Sequence, residues 1–292
     1  MNPGFSFPVV NLPQRQCLSE LQNRYLLNGK TAPIPTLEIG PGHGLTSWKL
    51  IASGGQLVAV EREERVVPPW KETLNKARQF LPTGAPLGAK VLRQDILTLS
   101  SQQLIETIKK PFEIVWMSNV LHFFSPGQSK QLAELLFKAM QKDGKAFITV
   151  ISVPKQHAAI WDTYRKAKAS GSPFPGYLMT DVTFTMGMDF VQSRIENKVY
   201  AIPATEEYVP GVNLKGWYRE PLKKDGFTAG KANVYRHIPA HFFDTETLSA
   251  LFANAGFAVE SAYYFSESSG QRVASLEDGT DDVHAAIIVR KP

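Results

Sequence analysis

The segment Leu37-Glu-Ile-Gly-Pro-Gly-His-Gly sets three glycines and one acid directly behind an apolar run. Glycine lets a chain turn tightly and approach a ligand with no Cβ in the way. The free N–H groups that open the following helix then face the ligand. The next apolar run ends at Glu61, where a carboxylate can accept both hydroxyls of a ribose. A third ends at Gln94-Asp95-Ile96, offering a carboxylate beside an apolar side chain, as an adenine with an exocyclic amine would need. Three strand ends on one rim describe a nucleoside site without a phosphate. The residues expected to line it are Glu38, Gly40, Gly42, Gly44, Glu61, Asp95 and Ile96, with Ser118 and Asn119 after a fourth apolar run.

A dinucleotide is the competing ligand. Its G-x-G-x-x-G fingerprint is absent, because Leu45 stands three after Gly42. Glu38 would also repel a pyrophosphate, whereas it suits a ligand with a cationic amino-acid end. Taken singly, Gly42 reads as a turn glycine, Glu61 as a solvated strand end and Asp95 as a helix N-cap. Their joint occurrence in sequence order is what points to a ligand. Two histidines are candidate catalytic bases that would take a proton from an oxygen nucleophile: His122, just past the fourth strand, and His237, beside Arg236 at the rim. A structural hydrogen bond is the alternative for His122, His241 is expected to pack, and His43 reads as a tolerated loop residue. No converging carboxylates ask for a metal.

These residues need a sheet whose strand ends meet at one edge. Strands are expected at Thr36–Ile39, Gln56–Glu61, Lys90–Arg93, Phe112–Met117 and Ala146–Ile151. Helical patterns lie between them, near 45–53, 69–80, 102–108 and 128–140, the last stopped by Lys142-Asp-Gly. Such alternation reads as a parallel sheet covered on both faces. An arm and a helix over Ser19–Leu27 precede it, so residues 1–30 form a lead-in and 31–153 the ligand-binding core. After Val153 the rhythm fails. Residues 154–240 are rich in Pro, Gly and aromatic side chains, and hold 12 Lys and Arg against 8 Asp and Glu. They read as an inserted lid, in which Trp217, Tyr218 and Arg219 form a group able to stack on a flat ligand. The pattern resumes over 241–292: a helix capped by Asp244 and stopped by Gly256, then strands Phe257–Phe265 and His284–Arg290.

The pattern Glu38-x-Gly-x-Gly-x-Gly, with Glu61 closing the second strand and Asp95 the third, resembles class I S-adenosylmethionine-dependent methyltransferases over residues 35–153 and 241–292. The resemblance implies an α/β fold: a doubly wound, mostly parallel seven-stranded sheet, its last strand antiparallel, with the lid inserted between the fifth strand and the following helix. It implies S-adenosylmethionine as cofactor and methyl transfer as the activity. It places Gly40, Gly42 and Gly44 at the methionine end, Glu61 on the ribose, and Asp95 with Ile96 at the adenine. Residues 37–99 are also similar to ribosomal RNA adenine dimethylases, in Leu-Glu-Ile-Gly-Pro-Gly-x-Gly and Gln-Asp-Ile-Leu. That subfamily continues its fourth strand with Asn-Leu-Pro-Tyr, whose Tyr stacks on the target base. Here the place reads Ser118-Asn119-Val120-Leu121-His122-Phe123, closer to methyltransferases of small molecules. A small-molecule acceptor, methylated on oxygen or nitrogen, is the leading expectation. An RNA acceptor, or a non-catalytic binding protein on the same fold, stands behind it.

Bulk properties agree with a globular protein. The 292 residues are 43% hydrophobic and 20% charged, enough to bury a real core. A net charge of +5 falls short of the dense basic stripe of a nucleic-acid binder. The lone Cys17 excludes an internal disulfide and a cysteine-based zinc site. No apolar stretch is long enough for a membrane span, and the first residues lack the basic and apolar regions of a secretory signal. A cytoplasmic location is expected.

Overall fold

The structure is a computed structural model that describes residues 11–29, 32–42, 44–62, 67–77, 88–153, 155, 158–177, 182–187, 200–201, 235–239, 241–277 and 283–292. Helix α1 (Leu12–Leu27) leads into β1 (Ile34–Ile39), followed by α2 (Ser47–Ala52), β2 (Gly55–Val60), α3 (Val67–Ala77) and β3 (Ala89–Leu92). Then come α4 (Ser101–Ile108), β4 (Phe112–Ser118), α5 (Pro126–Ala139) and β5 (Met140–Ile151). The region after β5 holds α6 (Ala158–Ala169), β6 (Val182–Gly187), β7 (Tyr200–Ala201) and β8 (Tyr235–Pro239). Helix α7 (Thr245–Asn254), β9 (Ala258–Ser266), β10 (Arg272–Val273) and β11 (Val283–Arg290) close the chain.

The main sheet runs β10-β9-β11-β5-β4-β1-β2-β3. Strands β1 to β5 are mutually parallel, and β11 lies antiparallel between β5 and β9. Strand β1 sits between β4 and β2 and is buried along its whole length. Alternate residues feed two cores, as the two-residue period of a strand requires. Leu37, Ile39, Val58, Val60, Val115 and Met117 pack under α4, α5 and α7. Ile34, Leu57, Ala59, Ile114 and Trp116 pack instead with Cys17 and Leu21 of α1, Leu50 and Ile51 of α2 and Trp70 of α3. Apolar residues on both faces are what a parallel sheet clad by helices demands.

Local chemistry sets the helix boundaries. Ser100 and Ser125 each form a capping box with the glutamine three residues on, Gln103 and Gln128. Asp244 accepts from the Thr247 N–H at 2.6 Å to start α7, and Gly256, at φ +104°, ends it.

Four expectations change. The sheet has eight strands, not seven, because Arg272 and Val273 fold back as a two-residue edge on β9; a strand that short leaves no sequence period. Helix α1 begins at Leu12 rather than Ser19, because Asn11 caps it and Pro13 fits its first turn. Lys142-Asp-Gly does not separate α5 from the fifth strand. It is a bulge inside β5: β4 partners jump from Met140 to Lys145, and Asp143 takes φ +59°. The region after Val153 contains a helix and a small antiparallel sheet, β7-β6-β8. Trp217, Tyr218 and Arg219 lie outside the described residues.

Candidate functional site

The chain leaves β1 through Gly40, whose N–H still donates to the Val60 carbonyl at 3.0 Å. Gly40, Gly42 and Gly44 then adopt φ of +66°, +53° and +79°, a region costly for residues with a Cβ. Their surroundings differ. A Cβ on Gly40 would lie 2.5 Å from Val120 Cγ2, and one on Gly44 would lie 2.8 Å from Trp70 Cδ1. One on Gly42 would meet none of the described residues within 4 Å. Gly40 and Gly44 are thus required by the protein's own packing, while Gly42 borders open space that a ligand can fill. His43 lies outside the described residues.

Glu38 falls on the strand face covered by α1, α2 and α3, and is 1% exposed. Its Oε2 lies 2.5 Å from Ser47 Oγ, on the first residue of α2. Ser47 Oγ in turn accepts from Trp70 Nε1 of α3 at 2.7 Å. Burial raises the Glu38 carboxyl to about 7; the Ser47 bond works against this, and the Glu61 charge adds to it.

The neighbouring strand ends complete the rim. Glu61 follows β2 and donates its N–H to the Leu92 carbonyl of β3 at 3.0 Å. Its side chain is partly exposed. Asp95 Oδ1 accepts from the Leu97 N–H at 3.0 Å, so one carboxylate oxygen caps the short 3-10 turn Ile96–Thr98. The other, Oδ2, lies 3.9 Å from Arg62 Nη1. Ile96 is 4% exposed and packs into the core with Leu99 and Leu104.

At the end of β4, Ser118 Oγ accepts from Thr149 Oγ1 at 2.8 Å. Asn119 takes φ +55°, its N–H donates to the Thr149 carbonyl at 2.9 Å, and its Oδ1 is buried with no hydrogen-bond partner among the described residues. His122 is buried, lies 3.9 Å from the Phe123 ring, and neither ring nitrogen has a hydrogen-bond partner among the described residues. Burial, then the nearby His284 and His241, pushes it down to about 3. His241 is wholly buried; Nδ1 donates to the Phe124 carbonyl at 2.7 Å, so Nε2 carries the lone pair. It packs against Phe243, as expected of it, at 4.0 Å between ring centroids. Burial holds it near 3 as well, against the opposing Phe124 bond. His237 and Arg236 lie on β8, whose side chains are outside what the structure describes.

Four strand ends therefore meet in the order β4-β1-β2-β3. They carry Asn119, Glu38, Glu61 and Asp95 at the edge of the sheet where Gly42 lies, with Asn119 Oδ1 and the Glu38 carboxyl buried and Glu61 and Asp95 partly exposed. The rim is rich in acceptors. It fits a ligand carrying an ammonium, vicinal hydroxyls and an amine, and it disfavours phosphates. Ser47, Trp70 and Arg62 were not among the expected site residues. Ser47 stands at an ordinary helix start, and nothing in sequence ties Trp70 to a loop 26 residues earlier.

A groove of about 870 Å³ opens between α6, the start of α7 and β9. Trp161, Tyr164, Tyr264 and Leu276 help form its walls. The Phe243 N–H donates to the carbonyl of Ile151, the last residue of β5, at 3.3 Å, which puts the start of α7 at the same edge of the sheet as the glycine loop. Among the described residues no group of three or more His, Cys, Asp or Glu is placed to hold a metal, and no helix is long and apolar enough to cross a membrane.

No protein-family model and no curated protein sequence matches the chain. Solved structures do. A SAM-dependent methyltransferase from Methanosarcina mazei is 12% identical, over 91% of this chain and 96% of that one, with a TM-score of 0.50. Magnesium protoporphyrin IX methyltransferase from Synechocystis, with S-adenosylhomocysteine bound, is 10% identical over 96% and 84%, with a TM-score of 0.49. An N-methyltransferase from Bradyrhizobium japonicum, in complex with the same molecule, is 12% identical over 97% and 90%, with a TM-score of 0.47. The chain has the fold of class I SAM-dependent methyltransferases.

Proposed function

We propose that the chain binds S-adenosylmethionine and transfers its methyl group to a small-molecule acceptor. The observation that carries this is the acceptor-rich rim beside Gly42. Its acceptors match the polar groups of this cofactor in chemistry and sequence order. Glu38 and Asn119 would serve the ammonium, Glu61 the ribose hydroxyls, and the Asp95 carboxylate the adenine amine. Ile96, being buried, would support that contact from below. Ser118, held by Thr149, would fix the backbone that presents Asn119. The cofactor supplies a methyl group already made electrophilic by its sulfonium. What falls to the protein is to hold an acceptor in line and exclude water.

Neither His122 nor His241 is poised as a base as it stands: both, held near 3, take up no proton at neutral pH. His237 keeps its candidacy by position alone, on the strand where the inserted region returns to the sheet. The groove beside α6 favours a small acceptor over RNA. Its Arg165, Lys166 and Lys168 are balanced by Asp162, Glu246 and Glu277, whereas an RNA channel needs an excess of cations. Residues 154–240 are proposed as the lid over that acceptor. Calorimetry with S-adenosylmethionine tests the cofactor: binding is expected, and Gly42→Trp should abolish it, since an indole would fill the open space. A screen of phenols, amines, carboxylates and RNA with methyl-labelled cofactor tests the acceptor. Undiminished cofactor binding by Gly42→Trp would overturn the site, and label transferred to RNA alone would overturn the acceptor class.

A further inference from the structure

Glu38 is an unusual acid to find beside a ligand site. It is buried on the face of β1 covered by α1, α2 and α3, just before the glycine loop, and its one hydrogen bond among the described residues is to Ser47. Ser47 Oγ receives the Trp70 N–H, so one lone pair is used and one remains beside its own proton. Such a hydroxyl can donate to a carboxylate or accept from a carboxyl. The Glu38–Ser47 contact thus survives a change in the charge of Glu38, with no atom needing to move far. Trp70 in turn stands against Gly44, so the pair is built into the wall of the loop.

The surroundings oppose a lone charge on Glu38. Glu61, after β2, adds a like charge. From α1, Cys17 faces it, a thiol that burial and the Glu38 and Glu20 charges push well up and keep neutral. From α2, the buried ammonium of Lys49 makes no hydrogen bond among the described residues and lies 5.9 Å from the Trp48 ring. Strand neighbours Ala59 and Trp116 bring no charge, and α3 contributes only the Trp70 N–H. Among the described residues no cation offsets Glu38.

We infer that Ser47 and Trp70 position Glu38 as a proton-bearing carboxyl in the cofactor-free protein, and that binding the cofactor's ammonium displaces that proton to solvent. This rests on the cofactor reading above. The balance is simple: the O–H bond of Glu38 breaks, its proton goes to buffer, and the carboxylate left behind neutralises the incoming ammonium. Burial and Glu61 hold the free carboxyl near 7, so the exchange falls in the physiological range.

The probe is S-adenosylhomocysteine, which carries the ammonium but no sulfonium. Its binding heat is measured in buffers of different ionisation enthalpy, from about pH 6 to about pH 8. Linkage predicts release of nearly one proton at the acid end, roughly half a proton near pH 7, and an affinity about tenfold weaker at the acid end than at the other. Glu38→Gln should abolish the release below pH 7, where the ligand's own amino group stays charged. Ser47→Ala removes the one donor to Glu38 and should move the release curve to higher pH. Buffer-independent heats in the unaltered protein, or a release that persists in Glu38→Gln, would overturn the inference and leave cofactor binding standing. Absence of any binding would overturn both.

Discussion

One added methyl group should separate the three loop glycines by what each serves. Gly42→Ala meets no neighbour, so only the positive φ opposes it, a cost of roughly 1–2 kcal/mol. Gly44→Ala carries the same penalty and also drives a Cβ to 2.8 Å from Trp70, which cannot yield without leaving Ser47. Overpacking of that kind adds about 1–3 kcal/mol. Thermal melts should therefore place Gly44→Ala well below Gly42→Ala, while calorimetry with S-adenosylmethionine shows Gly42→Ala losing affinity; equal melting temperatures would refute the distinction. At the partly exposed Glu61, Glu61→Ala should weaken the cofactor by about 1.5–3 kcal/mol if the carboxylate holds the ribose. A change below about twofold in affinity, ~0.4 kcal/mol, would make it only a solvated strand end. Glycines and strand-end acids were legible in sequence because their type and spacing are local. Their partners were not: Ser47 and Trp70 reach Glu38 only through the packing of α2 and α3 on β1.

At the scale of elements, one of the ties between the inserted region and the core converges on the buried Asp244. Tyr164 of α6 donates to Asp244 Oδ2 at 2.6 Å, and Lys168 donates to the same oxygen at 3.0 Å, while Oδ1 caps α7. The two donors and the cap hold Asp244 ionised, below the usual carboxylate range, despite its burial. Tyr164→Phe should cost about 1.5 kcal/mol, the low end for a hydrogen bond to a charge, because Lys168 remains. Asp244→Ala should cost more, since it removes the cap, about 1 kcal/mol by itself, and strands both donors. Urea denaturation of the two single variants and the double variant checks this; strictly additive losses would mean that α6 is not anchored there. The core strands were readable because each is an apolar run between turn signals, and α7 because Asp244 and Gly256 mark its ends. Helix α6 escaped notice because its apolar and basic residues sit in a Pro- and Gly-rich tract. The bulge at Lys142-Asp-Gly looked like a turn because its residues are turn residues; only pairing with β4 shows the strand continuing through it.

Over the whole molecule, the buried His122, His241 and Glu38 set opposing demands on acid stability. His122 and His241 ionise at 6.5 when exposed but are held near 3 in the fold. Each therefore takes up a proton on unfolding between those values, and its contribution to stability is lost as pH falls below about 6.5. Glu38 does the reverse. Its carboxyl rises from 4.5 to about 7, so the folded state gains a proton as pH falls through 7, which stabilises it down to about 4.5. Between about pH 6 and 5 the unfolded chain binds two protons at the histidines and the folded chain one at Glu38, a net difference of one. Linkage then gives a fall in stability of about 1.4 kcal/mol per pH unit from these groups. Glu38→Gln removes the opposing proton and should steepen the fall to about 2.7 kcal/mol per unit. His122→Leu removes one histidine and should flatten the curve almost to zero. It should also leave stability at pH 7 intact or better, since two unpartnered ring nitrogens no longer have to be buried. Urea midpoints at half-unit steps in that window, for the three proteins in parallel, decide the matter. Equal slopes would mean that these side chains reach solvent in the folded protein and that the burial assigned to them is wrong.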